Sequence, residues 1–182
     1  AEIITDYRKK SYKVIVISSA MSGVTNELVK KSKEISEDFS NSEYDVLVSS
    51  GEQVACSLIA GRLIHQGIKA RSWLAWQIPI MTKGFYKNSR IELINKSKIM
   101  KYLREGGVPI IAGFQGINNL ERVTTIGRGG SDASAIMLAK FFKAKKCIIY
   151  TDVEGVYTTD PNKLRKAKKI KVISYEEMLE MA

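Results

Sequence analysis

Thr124 to Ala135, T-T-I-G-R-G-G-S-D-A-S-A, is the stretch on which the reading of this chain turns. A threonine pair leads into a glycine turn that carries an arginine: Gly127, Arg128, Gly129, Gly130. Ser131 and Asp132 follow, then a run of helix formers from Ala133 to Phe142. Glycine lets backbone amides approach a ligand closely and takes positive φ without steric cost. A helix beginning at Ser131 or Asp132 would aim its unpaired N–H groups at an anion. Arg128 adds a planar fork suited to carboxylate or phosphate. The segment therefore reads as an anion cradle with its own cation. Standard nucleotide loops do not fit it: no lysine follows the second glycine, and Asp132 stands where a dinucleotide fingerprint has its third glycine. Taken alone, the same residues also suit a plain turn into a helix, with the arginine facing solvent.

Outward from that turn, three apolar β-branched runs read as buried parallel strands: residues 14–18 (V-I-V-I-S), 108–112 (V-P-I-I-A) and 147–150 (C-I-I-Y). A shorter strand is expected at 69–73. Helical segments are expected at 26–39, at 52–66 closing on Gly67, at 96–104 before Gly106 and Gly107, and from the glycine turn to Phe142. Residues 44–48 suit either strand or helix, and Ser174 with Glu177 makes a capping box for a last helix to Met181. Strands alternating with helices give an α/β fold, a three-layer sandwich around a largely parallel central sheet.

Ligands in such sheets bind beyond the carboxyl ends of the strands. Three strand ends carry polar, turn-forming residues: Ser18 to Thr25, Gly113 to Gly116, and Thr151 to Pro161. In the last, Asp152 could reach a ribose or a metal-bound nucleotide and Tyr157 offers a face to a base, while turn chemistry alone would explain Gly155 and Asp160-Pro161. Ser50-Gly51-Glu52-Gln53 reads as a turn starting a helix. Glu52 there would either complement the helix dipole or receive the ammonium of an amino acid.

A chain of 182 residues, 45% hydrophobic and 26% charged, can build one domain with a real core. No run is long enough to span a membrane and no signal-peptide pattern opens the chain. Cys56 and Cys147, far apart, read as reduced, buried thiols of a cytoplasmic protein. Two such cysteines and the single histidine, His65, assemble no zinc site. The net charge of +10 owes much to Lys163, Arg165, Lys166, Lys168, Lys169 and Lys171. Aromatic residues do not interleave that run, so it reads as a solvated basic face rather than a nucleic-acid platform.

Five motifs in order, V-I-S-S-A-M-S-G-V-T-N-E-L, S-S-G-E-Q, A-G-F-Q-G, T-T-I-G-R-G-G-S-D and Y-T-D-V-E-G-V-Y-T-T-D-P, resemble the aspartate kinases within the amino acid kinase fold. The resemblance runs from about Lys13 to the end of the chain. It implies ATP-dependent phosphorylation of the L-aspartate side chain to 4-phospho-L-aspartate, on the route to diaminopimelate, lysine, methionine and threonine. By the same resemblance Thr25 and Glu52 hold aspartate and Arg128 binds its carboxylate. Ser131 lies between substrate and phosphates, Asp132 organises the phosphate-binding groups, and Gly129 and Gly130 complete the cradle. Thr151, Asp152, Tyr157, Asp160 and Asn162 would line the ATP site, with Mg²⁺ held mainly through the phosphates and no metal ligand from the protein. A homodimer is expected on this basis alone.

The family's K-x-G-G-[ST] loop and F-G-A-K motif, each with a phosphate-contacting lysine, have no counterpart in this stretch, nor do regulatory ACT domains. Residues 1–182 are therefore expected to be a catalytic domain without its first strand and lysine loop. Asn162 stands where many relatives have arginine. The competing expectations are a same-fold kinase of glutamate, acetylglutamate or a nucleoside monophosphate, and a non-catalytic ligand-binding fragment.

Overall fold

The computed structural model describes residues 1–127, 130–151, 155, 157–159, 164, 166–170, 172–174 and 177. Its elements in chain order are α1 (Glu2–Lys9), β1 (Val16–Ser18), α2 (Val24–Ile35), α3 (Asn41–His65), β2 (Ala70–Trp73), β3 (Ile80–Phe85), β4 (Asn88–Ile94), α4 (Ser97–Arg104), β5 (Val108–Ala112), β6 (Gln115–Ile117), β7 (Val123–Thr125) and α5 (Gly130–Phe142).

Period-two alternation sorts the β5 side chains between two helical layers. Strands β1, β5 and β2 form a parallel sheet in that order, with Val16 opposite Ile110 and Ser72 opposite the same residue on the other side. Val108, Ile110 and Ala112 pack with Cys56, Ala60 and Leu63 of α3. Ile111 points the other way, into a cluster with Ile99 and Leu103 of α4 and Ala133 and Leu138 of α5. That is the expected three-layer α/β sandwich. Each fully buried aliphatic side chain, such as Leu63 or Ile110, contributes about 1.5–3 kcal/mol by leaving water.

A second, mostly antiparallel sheet, β4-β3-β6-β7, completes the fold. Its hairpin β3–β4 turns at Tyr86-Lys87, where Lys87 takes φ 65°, and carries a bulge at Met81/Thr82. The buried hydroxyls of Thr82 and Thr124 pair at 2.5 Å, tying β3 to β7.

The structure corrects three expectations. Residues 44–48 and 52–66 belong to one 25-residue helix, with no turn at Ser50-Gly51. Ser49 and Ser50 satisfy their hydroxyls on the carbonyls of Val46 and Leu47 inside the helix, and Gly51 is where α3 meets the segment after β1. A Cβ there would fall 3.0 Å from Ala20 Cβ and 3.2 Å from Val24 Cγ1. Residues 147–150 form no strand, and Ile148 and Tyr150 are exposed. Their β-branched run finds no strand partner among the described residues, and propensity without pairing does not make a strand. Cys56 is buried, its Sγ donating to Ile110 O at 3.0 Å, but Cys147 is only half-buried. The last helix lies outside the described residues, although the Ser174–Glu177 capping box is formed in both directions.

Candidate active site

The site lies where β1 and β5 end. A cavity of about 280 Å³ is lined by Ser19, Thr25, Glu52, Phe114, Gly130, Ser131 and Asp132. Of the expected site residues, Thr25, Glu52, Gly130, Ser131 and Asp132 thus come together.

Close approach at three points builds it. Gly113 donates its amide to Ser18 O at 2.9 Å, holding the ends of β5 and β1 side by side. A Cβ on Gly113 would fall 3.1 Å from that oxygen and 3.3 Å from Ser131 Cα, so α5 can start directly against the strand ends. Phe114 follows with φ 61°, a strained value for a side-chain-bearing residue. Its amide is held by Ser134 Oγ at 2.9 Å, and that hydroxyl donates back to Gly130 O at 2.6 Å. The Phe114 ring then covers Gly130, where a Cβ would sit 2.1 Å from ring carbon Cδ2. Any larger residue at 130 would displace the ring or the helix start.

Two helix N-termini border the cavity. The first turn of α5 supplies Gly130, Ser131 and Asp132, and that of α2 supplies Thr25. Neither α2 nor its Gly23 start, at φ 82°, has a side-chain cap. Unpaired amides and the positive ends of both dipoles therefore favour negative charge between them. Burial pushes the Asp132 carboxyl above its ordinary value.

Glu52 is the most unusual group on the wall. It lies about three turns inside α3, so a role at a helix N-terminus is ruled out. The residue is 2% exposed. Oε1 accepts the Ala20 amide at 3.2 Å, while Oε2 is buried with no hydrogen-bond partner among the described residues. Desolvation pushes its carboxyl up to about 7, against the smaller downward pull of backbone amides. A buried carboxylate oxygen with nothing to accept from is costly. A cation entering the cavity would supply that partner.

Of the residues expected on the nucleotide side, Tyr157 is half-buried and bridges to Lys169, and Thr151 is exposed. Neither lines the cavity. Arg128, Gly129, Asp152, Asp160 and Asn162 lie outside the described residues. Ser19 and Phe114 are wall residues that the sequence marks only as turn formers at strand ends. Among the described residues no cluster of three or more His, Cys, Asp or Glu could hold a metal ion, and no helix is long and apolar enough to cross a membrane.

A family model described as the amino acid kinase family matches residues 1–182. An aspartokinase from Rickettsia felis is 51% identical over all of this chain. The chain spans 46% of that protein's length, about half of the curated relatives it matches. Among solved structures, aspartate kinase from Synechocystis superposes at TM-score 0.76 with 36% identity, covering 99% of this chain and 30% of that one. Aspartokinase III of E. coli in complex with aspartate and ADP gives TM-score 0.76 at 26% identity, covering 86% of this chain and 46% of that one.

Proposed function

This chain belongs to the amino acid kinase family, and from that premise we propose that it forms the acceptor site and phosphate cradle of an aspartate kinase. The reaction transfers the γ-phosphoryl group of ATP to the side-chain carboxylate of L-aspartate. One P–O bond to ADP breaks and one to the carboxylate oxygen forms, giving 4-phospho-L-aspartate and ADP. The observation that carries this reading is the buried, unpartnered Oε2 of Glu52 on the cavity wall. It suits the ammonium of an amino acid and has no use in a site for a purely anionic acceptor.

The chemistry asks little else of a side chain. A free carboxylate has a reference pKa near ~4 and is already ionised at neutral pH, so no general base is needed. What must be overcome is repulsion between two anions, and phosphoryl transfer is catalysed mainly by positioning and charge stabilisation. The N-terminal turns of α2 and α5 face the cavity with that field. In this reading Thr25 and Glu52 hold the amino-acid end and Arg128 pairs with its α-carboxylate. Gly129, Gly130 and Ser131 cradle the phosphates, Asp132 orders that cradle, and Thr151, Asp152, Tyr157, Asp160 and Asn162 form the ATP side. Mg²⁺, where bound with the nucleotide, would supply neutralisation of phosphate charge.

Residues 1–182 act as part of a catalytic domain, in a cytoplasmic homodimer at the head of diaminopimelate, lysine, methionine and threonine synthesis. Hydroxylamine trapping of the acyl phosphate by the intact protein, with aspartate, glutamate and acetylglutamate offered in turn, tests the acceptor. Aspartyl hydroxamate alone is expected. A hydroxamate from glutamate or acetylglutamate in its place overturns the reading.

A further inference from the structure

We propose that Asp45, a residue outside the cavity, is a positioning residue that sets the distance between the Glu52 carboxylate and the end of β7, from which the chain runs on in sequence to Arg128, and so the fit of the acceptor; the proposal rests on the aspartate kinase reading. Asp45 is wholly buried on α3. It is spent on backbone and hydroxyl donors from a distant hairpin turn and a distant strand end. The Lys87 amide donates to both its oxygens at 3.0 Å, the Thr125 amide to Oδ2 at 2.8 Å, and Thr125 Oγ1 to Oδ1 at 2.8 Å. The Lys87 ammonium does not sit on the carboxylate and lies over the Tyr44 ring, 4.3 Å from its centre. Desolvation of a buried carboxylate is expensive and makes it a poor choice for stability alone. An acid is nonetheless the side chain that can accept from both segments together.

Those two donors stand at the β3–β4 turn and at the end of β7, three residues before Arg128 in sequence. Thr125 ends β7, and Gly127 follows two residues later. Gly127 lies against the hairpin turn: a Cβ on it would fall 2.2 Å from Asn88 Oδ1, next to Lys87. Lys87, Asn88, Thr125 and Gly127 therefore form one assembly hung on the Asp45 carboxylate. Gln115, on β6 beside Thr125, adds a second tie through its Nε2, which donates to Ser49 O of α3 at 3.1 Å. Asp45 and Glu52 are seven residues apart on one helix, two turns, so they share a face about 10 Å apart along the axis. Helix α3 thus acts as a ruler. One mark receives the ammonium and the other fixes where β7 ends.

The test compares aspartate and ATP kinetics of the intact protein with Asp45→Asn, Thr125→Val and Thr125→Ser. Asn keeps one acceptor and turns a donor toward an amide. Asp45→Asn is expected to raise KM for aspartate by at least tenfold while KM for ATP changes less than twofold. Thr125→Val, which removes only the hydroxyl donor, is expected to raise aspartate KM about threefold, and Thr125→Ser to restore it. A general loss of fold would lower active fraction without splitting the two constants. If Asp45→Asn does not fold, the Val and Ser pair decides. Equal changes in both constants, or an unchanged aspartate KM, overturns the proposal. An intact wild-type protein that fails to phosphorylate aspartate removes the functional reading instead.

Discussion

Replacing Glu52 by Gln separates the cost of a buried acid from its use. The wild-type carboxyl titrates at about 7 in the fold against 4.5 for the free group. The native state therefore holds a proton that the unfolded chain has lost between those values, and stability falls as pH rises through this window. From pH 5 to pH 8 the loss from this one group is about 2–3 kcal/mol, since a tenfold difference in proton affinity between the folded and unfolded chain is worth ~1.4 kcal/mol. Gln cannot titrate, so the stability difference between variant and wild type should move in the variant's favour by that amount across the range. In a domain of this size that is a relative Tm change of about 5–10 °C. Any fixed cost of burying the Gln amide cancels, because only the pH dependence is read. Urea denaturation of both proteins at pH 5, 6, 7 and 8 checks it. In the same variant aspartate binding should weaken sharply. For wild type, apparent aspartate affinity should drop about tenfold from pH 8 to pH 6, as the ammonium loses its ionised partner, and the variant should lack that slope. A stability difference that is flat with pH, together with unchanged aspartate binding, would refute both the desolvated carboxylate and its role.

Three further outcomes are expected. Arg128→Ala should raise the aspartate requirement at least tenfold with a smaller effect on ATP, measured by titrating each ligand separately; equal weakening of both goes against that pairing. Gly130→Ala should abolish most turnover, because its Cβ would fall 2.1 Å from a Phe114 ring carbon at the start of α5; steady-state kinetics beside a circular dichroism spectrum check that the fold persists. Ile110→Ala, in the centre of β5 and fully buried, should cost about 2–5 kcal/mol of stability by denaturant titration.

The parts of the fold that could be read in advance are those whose information is local. Val108–Ala112 is a continuous apolar run in a buried strand, Val16–Ser18 is the half-buried end of another such run, and the glycines before α5 announce a helix start. The β3–β4 hairpin hides because two of its buried positions are the polar Thr82 and Ser89, a bulge at Met81/Thr82 shifts its register, and its turn uses Lys87 at φ 65° where glycine or asparagine would signal. C-I-I-Y misleads for the opposite reason: strong local preference, no partner. Thr25, Glu52, Ser131 and Asp132 were legible through their motifs, and the cavity unites them. Asp45 was not, since its donors lie 42 and 80 residues away in the chain and nothing around it in sequence hints at them.

A consequence of the unbroken α3 concerns how this protein can change over evolutionary time. Both acids ride on one continuous spiral, so their relative bearing is written in residue count. One residue gained or lost between positions 45 and 52 would swing one acid about 100° around the axis, out of reach of its targets. Exposed side chains along that span, such as Val46, are free to drift, whereas its length and the close-packed Gly51 are not. Insertions and deletions in descendants of this chain should cluster elsewhere, in the connections between strands.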